Sequence, residues 1–254
     1  MKSLVVVLLV LSSLSICALA QTTITLGTAD EFALLGASSI TNVSAKTHII
    51  GDVGSSPTPT VTGIVPSQVK GTLYLTESPV TEQAQIDLTA GYLEAAGAPC
   101  TNDLTGKDMG GMTLVPGVYC FSTSAALTGA LVLNAKGDVN AQWIFQVGST
   151  LTVAADSTVS IVLNDKKKTG PKPLWAKGLE GCNVYWQIGT TATIGDDSIF
   201  RGQILALTSI TLNGGMLHGK ALASTGAISI TDTELVNGPP CNPPSPVSPV
   251  SFVK

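Results

Sequence analysis

The residues that recur at fixed spacing in this chain are hydroxyls. Thr190-Thr191-Ala192-Thr193-Ile194 is echoed eighteen residues on by Thr208-Ser209-Ile210-Thr211-Leu212, and again by Ala227-Ile228-Ser229-Ile230. Aliphatic and hydroxyl side chains alternate within each segment. Alternation of period two belongs to a half-buried strand, so Ile210 and Leu212 point inward while Ser209 and Thr211 point outward. Thr193, Thr211 and Ser229 then stand one above another. The chemistry open to such a grid is adsorption, in which ordered hydroxyls hold water in place. Catalytic constellations are sparse beside it. The two histidines, His48 and His218, are far apart in sequence. Asp196-Asp197 could suggest the paired carboxylates of a sugar-cleaving enzyme, but neighbours on a strand point to opposite faces, and a corner turn suits them better. No CxxC or Cys/His spacing suggests a metal, so no metal and no cofactor are expected.

The elements that position the hydroxyls follow from the period. A repeat near eighteen residues is too short for helical pairs and suits one turn of a β-helix with three short strands. One turn alone cannot bury its apolar face, whereas stacked turns build a continuous core. Phe200-Arg201-Gly202-Gln203-Ile204-Leu205-Ala206 is echoed by Leu217-His218-Gly219-Lys220-Ala221-Leu222-Ala223, one residue short, and Gly226 restores the count. Looser echoes occur at Ser149-Thr150-Leu151-Thr152-Val153 and at Ser38-Ser39-Ile40-Thr41. Trp143, Phe145 and Trp186 lie in apolar strand runs and are assigned to the core.

Two stretches break the rhythm. Pro79 to Ala96 carries helix formers, with Ser78 as a cap, Pro79 in the first turn and Gly97-Ala98-Pro99 as a stop. Ile86, Ala90 and Leu93 are the face expected to pack along the solenoid. Asp165 to Gly181, with five lysines and Trp175, reads as an exposed inserted loop.

The ends and the composition bound the setting. Lys2 followed by the apolar run from Leu4, with Ala18-Leu19-Ala20 as cleavage site, gives a signal peptide over residues 1–20. The solenoid domain spans 21–238, and 239–254 is a proline-rich, disordered tail. Only 12% of residues are charged and the net charge is −4, so no basic stripe for nucleic acid exists and Thr, Ser and Asn must wet the surface. No second long apolar run suggests a membrane span. The expected product is secreted and monomeric. Cys17 leaves with the signal peptide; Cys100, Cys120, Cys182 and Cys241 remain, an even number that favours disulfides. Sequence does not choose among the three connectivities, and Cys100–Cys120 is the first expectation because it closes the shortest loop. Asn42-Val43-Ser44 is a glycosylation sequon, marking Asn42.

Taken in order, several segments resemble one family. They are Phe32-Ala33-Leu34-Leu35, Ile50-Gly51-Asp52-Val53-Gly54-Ser55-Ser56-Pro57, Leu114-Val115-Pro116-Gly117-Val118-Tyr119, Trp143-Ile144-Phe145-Gln146, Cys182-Asn183-Val184-Tyr185-Trp186 and Gly202-Gln203-Ile204-Leu205-Ala206. The ordered set resembles the microbial β-solenoid ice-binding proteins. The resemblance implies an all-β, right-handed parallel β-helix of triangular cross-section with one long α-helix alongside. It implies an N-terminal coil inserted out of order beside the C-terminal coil, and adsorption to ice through one flat face with a loose Thr-x-x-Thr pattern. That pattern maps onto Ser38, Thr41, Thr150, Thr152, Thr190, Thr191, Thr193, Thr208, Ser209, Thr211, Thr225, Ala227 and Ser229. The lysine-rich stretch, the four cysteines and the proline-rich tail depart from many members. The alternatives from other classes are a polysaccharide-binding or polysaccharide-cleaving β-helix, which needs exposed aromatics or clustered carboxylates, and a wall or adhesion protein tethered by the tail.

Overall fold

The computed structural model describes residues 24–163, 181–238 and 241. The expected signal peptide, most of the lysine-rich stretch with Trp175, and most of the proline-rich tail lie outside them.

Each turn of the chain passes through three short strands separated by corners. One turn runs Val184–Ile188, Ala192–Ile194 and the first half of Ile199–Ala206. The second half of that long strand opens the next turn, which continues through Ile210–Leu212 into Gly215–Ala223. Strand pairing between the described turns is parallel, with Ala192 beside Ile210 and Ile210 beside Ile228, and the register slips between Phe32 and Leu34 and between Gly215 and Met216. The result is a three-sided β-solenoid, and the eighteen-residue spacing of the sequence is its turn.

The three faces differ in what covers them. Face A holds Phe32–Gly36, Gly117–Phe121, Trp143–Val147 and Val184–Ile188, together with the second halves of the two long strands. It is buried on both sides, which is why Val184-Tyr185-Trp186-Gln187-Ile188 reads as a nearly unbroken buried run. Trp186 and Phe145 point inward and stack at 3.9 Å, with Tyr119 and Phe200 extending the column. Tyr185, Ile144, Leu205 and Leu222 point outward into a second core beneath the helix. Face B is a seven-stranded sheet with alternating burial. Face C carries Ala130–Asn134, Thr158–Val162, Thr233–Asn237, His48–Ile50 and the first halves of the long strands.

The corner between faces C and A needs glycine. Gly202 and Gly219 are register partners inside the two long strands, with φ of +119° and +153°. A Cβ on Gly219 would lie 1.9 Å from the Gly202 carbonyl oxygen, so the turns can stack closely there only without side chains.

The helix spans Pro79–Gly97. The Ser78 hydroxyl accepts the Val80 N–H at 3.2 Å, and Gln146 Nε2 donates to the carbonyls of Ala95 and Ala98 at 2.8 and 2.7 Å, closing its far end. Its buried face differs from the expected one. Thr81, Ala84, Leu88, Gly91 and Ala95 face the solenoid, while Ile86 and Leu93 are 63% and 62% exposed. At Gly91 the helix lies close against the segment that leads into the first turn: a Cβ there would come within 3.0 Å of the Thr25 carbonyl oxygen.

The turn order is spliced. Phe32–Gly36, Ser39–Asn42 and His48–Ile50 pair with Gly215–Ala223, Ala227–Ile230 and Thr233–Asn237, so the first turn of the sequence sits on the last. Asp52–Ser55, Val61–Thr62 and Val69–Lys70 form one more turn beyond it. Two disulfides, Cys100–Cys120 and Cys182–Cys241, join the cysteines, with Cα–Cα distances of 6.0 and 5.4 Å.

Candidate functional site

Face B is the one face whose strands carry no charged and no aromatic side chain among the described residues. Parallel register sets its central outward column as Ala126, Thr152, Thr193, Thr211, Ser229, Thr41 and Thr62. The same registers, carried two residues back along each strand, place Ser124, Thr150, Thr191, Ser209, Ala227 and Ser39 in a second column, of which Ser39 beside Ala227 is a strand pair. Neighbours within a column are about 4.8 Å apart, and the columns are separated by two residues, about 6.7 Å. Ile40, Leu151, Ile194, Ile210, Leu212 and Ile228 alternate with these groups and are buried in the core, which fixes the outward direction.

The hydroxyls are held by one another and by the backbone. Thr150 Oγ1 donates to Ser124 Oγ at 2.7 Å, Thr41 Oγ1 to Ser229 Oγ at 3.5 Å, and Ser209 Oγ accepts the Ala227 N–H at 3.2 Å. Branching at Cβ restricts χ1 of each threonine, so the array is stiff before anything binds.

The first residue of each Thr-x-x-Thr motif lies elsewhere. Thr190 and Thr208 stand on the corner between faces A and B, stacked through the Thr208 N–H to the Thr190 carbonyl at 3.0 Å. Thr190 Oγ1 is buried and has no hydrogen-bond partner. Thr208 Oγ1 lies 3.5 Å from Thr191 Oγ1. Ser38 is exposed at the same corner, and Thr225 turns its hydroxyl onto the Leu207 carbonyl at 2.6 Å. The extra residue of that turn sits here. Thus Thr41, Thr150, Thr152, Thr191, Thr193, Ser209, Thr211, Ala227 and Ser229 come together on the flat of the sheet, and Ser38, Thr190, Thr208 and Thr225 along its edge. Sequence reading missed Ser39, Thr62 and Ser124. Ser39 was legible as the residue two before Thr41; Val61–Thr62 was hidden by the prolines before it.

Asn42 is inside. It is 5% exposed, its Nδ2 donates to the Ser44 and Gly63 carbonyls at 2.8 and 3.2 Å, and its Oδ1 accepts from Ser44 N and Thr47 Oγ1. Both Nδ2 hydrogens of Asn42 are thus engaged and the side chain of the sequon is buried in this fold. Asp196 and Asp197 form the corner after Ala192–Ile194, with Asp197 at φ +52° and its N–H on Asp196 Oδ1. His48 and His218 lie on face C, on strands separated by Thr233–Asn237.

The comparisons with known proteins agree on one family. The family described as Ice-binding-like matches residues 34–236. An ice-binding protein of Nostoc sp. (strain HG1) is 42% identical over 214 residues, covering 84% of this chain and 73% of the relative. One from Flammulina populicola is 29% identical, with 87% and 91% covered. Among solved structures, an ice-binding protein from an Antarctic biological consortium superposes with a TM-score of 0.70 at 32% identity, covering 85% of this chain and 90% of that one. A glycosylated ice-binding protein from Arctic yeast gives 0.74 at 26% identity, with 90% and 99% covered.

Proposed function

The chain belongs to the ice-binding-like family, and on that premise we propose that it adsorbs to ice through face B. The observation that carries the reading is the two-column array of stiff hydroxyls on the one face whose strands, among the described residues, carry no charged and no aromatic side chain. Its threonine methyl groups order neighbouring water and its hydroxyls anchor that water by hydrogen bonds. A single contact of this kind is weak, so the seven strands of the sheet act together. A charged group would orient water differently, and the carboxylates of Asp156 and Asp197 are kept in the turns that follow the face B strands.

The ice-contacting set is Thr41, Thr150, Thr152, Thr191, Thr193, Ser209, Thr211, Ala227 and Ser229, joined by Ser39, Thr62 and Ser124. Ser38, Thr208 and Thr225 border it, and Thr190 supports the corner. The protein acts by adsorption and not by catalysis, as a secreted monomer. Secretion is supported by the N-terminal leader pattern and by two disulfides. Thermal hysteresis and ice-recrystallisation inhibition by the purified mature chain test the proposal. Crystals should stop growing within a hysteresis gap and take burst shapes outside it; growth indistinguishable from that in a buffer with an equal mass of a non-binding protein would overturn it.

A further inference from the structure

Every turn of the solenoid but one is joined to its neighbour by continuous chain. The exception is the seam where the turn of residues 32–50 lies on the turn of residues 220–238, and there the two sides meet through strand pairing and side-chain contacts without a direct chain link. A buried polar cluster stands at this seam. Lys220 is fully buried; its Nζ donates to the carbonyls of Asp30 and Gly238 and lies 3.6 Å from Asp30 Oδ1. Asp30 Oδ2 accepts the Cys241 N–H at 2.8 Å, and Cys241 is bonded to Cys182. Gln203 Nε2 donates to the Gly181 carbonyl at 3.2 Å and reaches Cys241 Sγ at 3.6 Å.

We propose that Asp30, Lys220 and the Cys182–Cys241 disulfide form one clasp that holds the N-terminal turn on the C-terminal turn and thereby positions the two end strands of the ice face. Asp30 stands two residues before the strand Phe32–Gly36, and Gly238 directly follows Thr233–Asn237. One ammonium therefore ties the start of the inserted turn to the end of the preceding one. The disulfide fixes the far side of the knot to the turn that begins at residue 184. Burial pulls the Lys220 pKa down while the Asp30 carboxylate beside it pulls it back up, so the buried ammonium has its partner within the knot. Among the described residues Val61–Thr62 pairs only with Ser39–Asn42, so whatever holds the inserted turn also holds the turn beyond it. The consequence for ice rests on the function proposed above, because Ser39, Thr41 and Thr62 belong to these two turns.

Hydrogen exchange read by mass spectrometry tests the clasp on the full chain with Asp30→Asn, Lys220→Met and the paired Cys182→Ser/Cys241→Ser variant. Exchange over residues 32–42 and 61–62 should quicken by about tenfold or more, while 151–153 and 192–194 keep wild-type protection. A residue with a merely general structural role would loosen all of these together. Even loss along the solenoid, or unchanged protection at 32–42 in the variants that fold, overturns the clasp. Local loss with reduced recrystallisation inhibition supports both the clasp and the ice face. Local loss with full activity supports the clasp alone and removes Ser39, Thr41 and Thr62 from the ice-contacting set.

Discussion

Thr211 is the position at which a single substitution discriminates best. It stands mid-column on face B between Thr193 and Ser229, with Ser209 and Thr191 in the adjoining column. Thr211→Tyr places a rigid ring there that projects well beyond the threonine methyl, and a flat crystal cannot then reach the nearest hydroxyls. Five groups, counting Thr211 itself, are lifted away. At about 0.5 kcal/mol for each net hydrogen bond the loss is about 2.5 kcal/mol, close to two powers of ten in partition onto ice. The fold should hardly notice. Thr211 points outward between buried Ile210 and Leu212, both residue types favour strands, and such exposed changes cost about 0.5 kcal/mol or less. For a domain of this size that is a shift of roughly 2 °C or less in Tm. The assay is thermal hysteresis at matched concentration, with Thr113→Tyr on an exposed strand of face C as control. If Thr211→Tyr melts normally and retains full hysteresis, the ice surface is not face B.

Two further predictions concern the second core under the helix. Leu88→Ala should cost about 2–5 kcal/mol and lower Tm by roughly 5–20 °C, whereas Ile86→Ala, at an exposed position, should leave Tm unchanged or slightly raised; equal effects in thermal melts would mean that the helix packs by its other face. Tyr185 is buried beside that core, and desolvation, with lesser contributions from Asp30 and Glu94, pushes its hydroxyl up to about 12. An unfolded tyrosine ionises near its ordinary value of about 10, so the folded state keeps this proton longer. Its contribution, about 2–3 kcal/mol, is fully present below pH 10 and is lost as the pH rises from 10 through 12. Tyr185→Phe should flatten that decline, and a phenolate spectrum in which Tyr185 titrates near pH 10 in folded protein would contradict the assignment.

The solenoid and its ladder were legible because pairing between turns converts sequence period directly into stacking: Thr193, Thr211 and Ser229 share an eighteen-residue spacing and are register partners. The helix was legible from Ser78, Pro79 and Gly97, but its buried face was not. Amphipathic reasoning favours large apolar residues at the contact, and here close approach selects Ala84, Gly91 and Ala95 and leaves Ile86 and Leu93 outside. The structural role of Asn42 was not legible in its tripeptide: the side chain that begins the sequon is also the hydrogen-bonding centre of a corner. The spliced turn order came only from the family resemblance, since nothing in the local pattern of Ser38-Ser39-Ile40-Thr41 says which strand it will meet. The corner position of Thr190 and Thr208 was hidden because a motif read along the chain does not show where the sheet ends.

The splice also sets a timetable for synthesis. Thr41 meets Ser229 across 188 residues of intervening chain, and Lys220 meets Asp30 across 190. At roughly 5–20 residues per second a ribosome needs on the order of 10–40 seconds to cover that distance. Throughout that interval the strands Phe32–Gly36 and Ser39–Asn42 have Asp52–Ser55 and Val61–Thr62 on one side but lack the C-terminal strands on the other, and an open edge can add to any other. Helical delay is no remedy, because Pro79–Gly97 also lacks most of face A until the later turns emerge. The nascent molecule therefore cannot complete its stack turn by turn from its first residue: the first two turns have each other to pair with, but their seat on the solenoid exists only once residues 215–237 have been made.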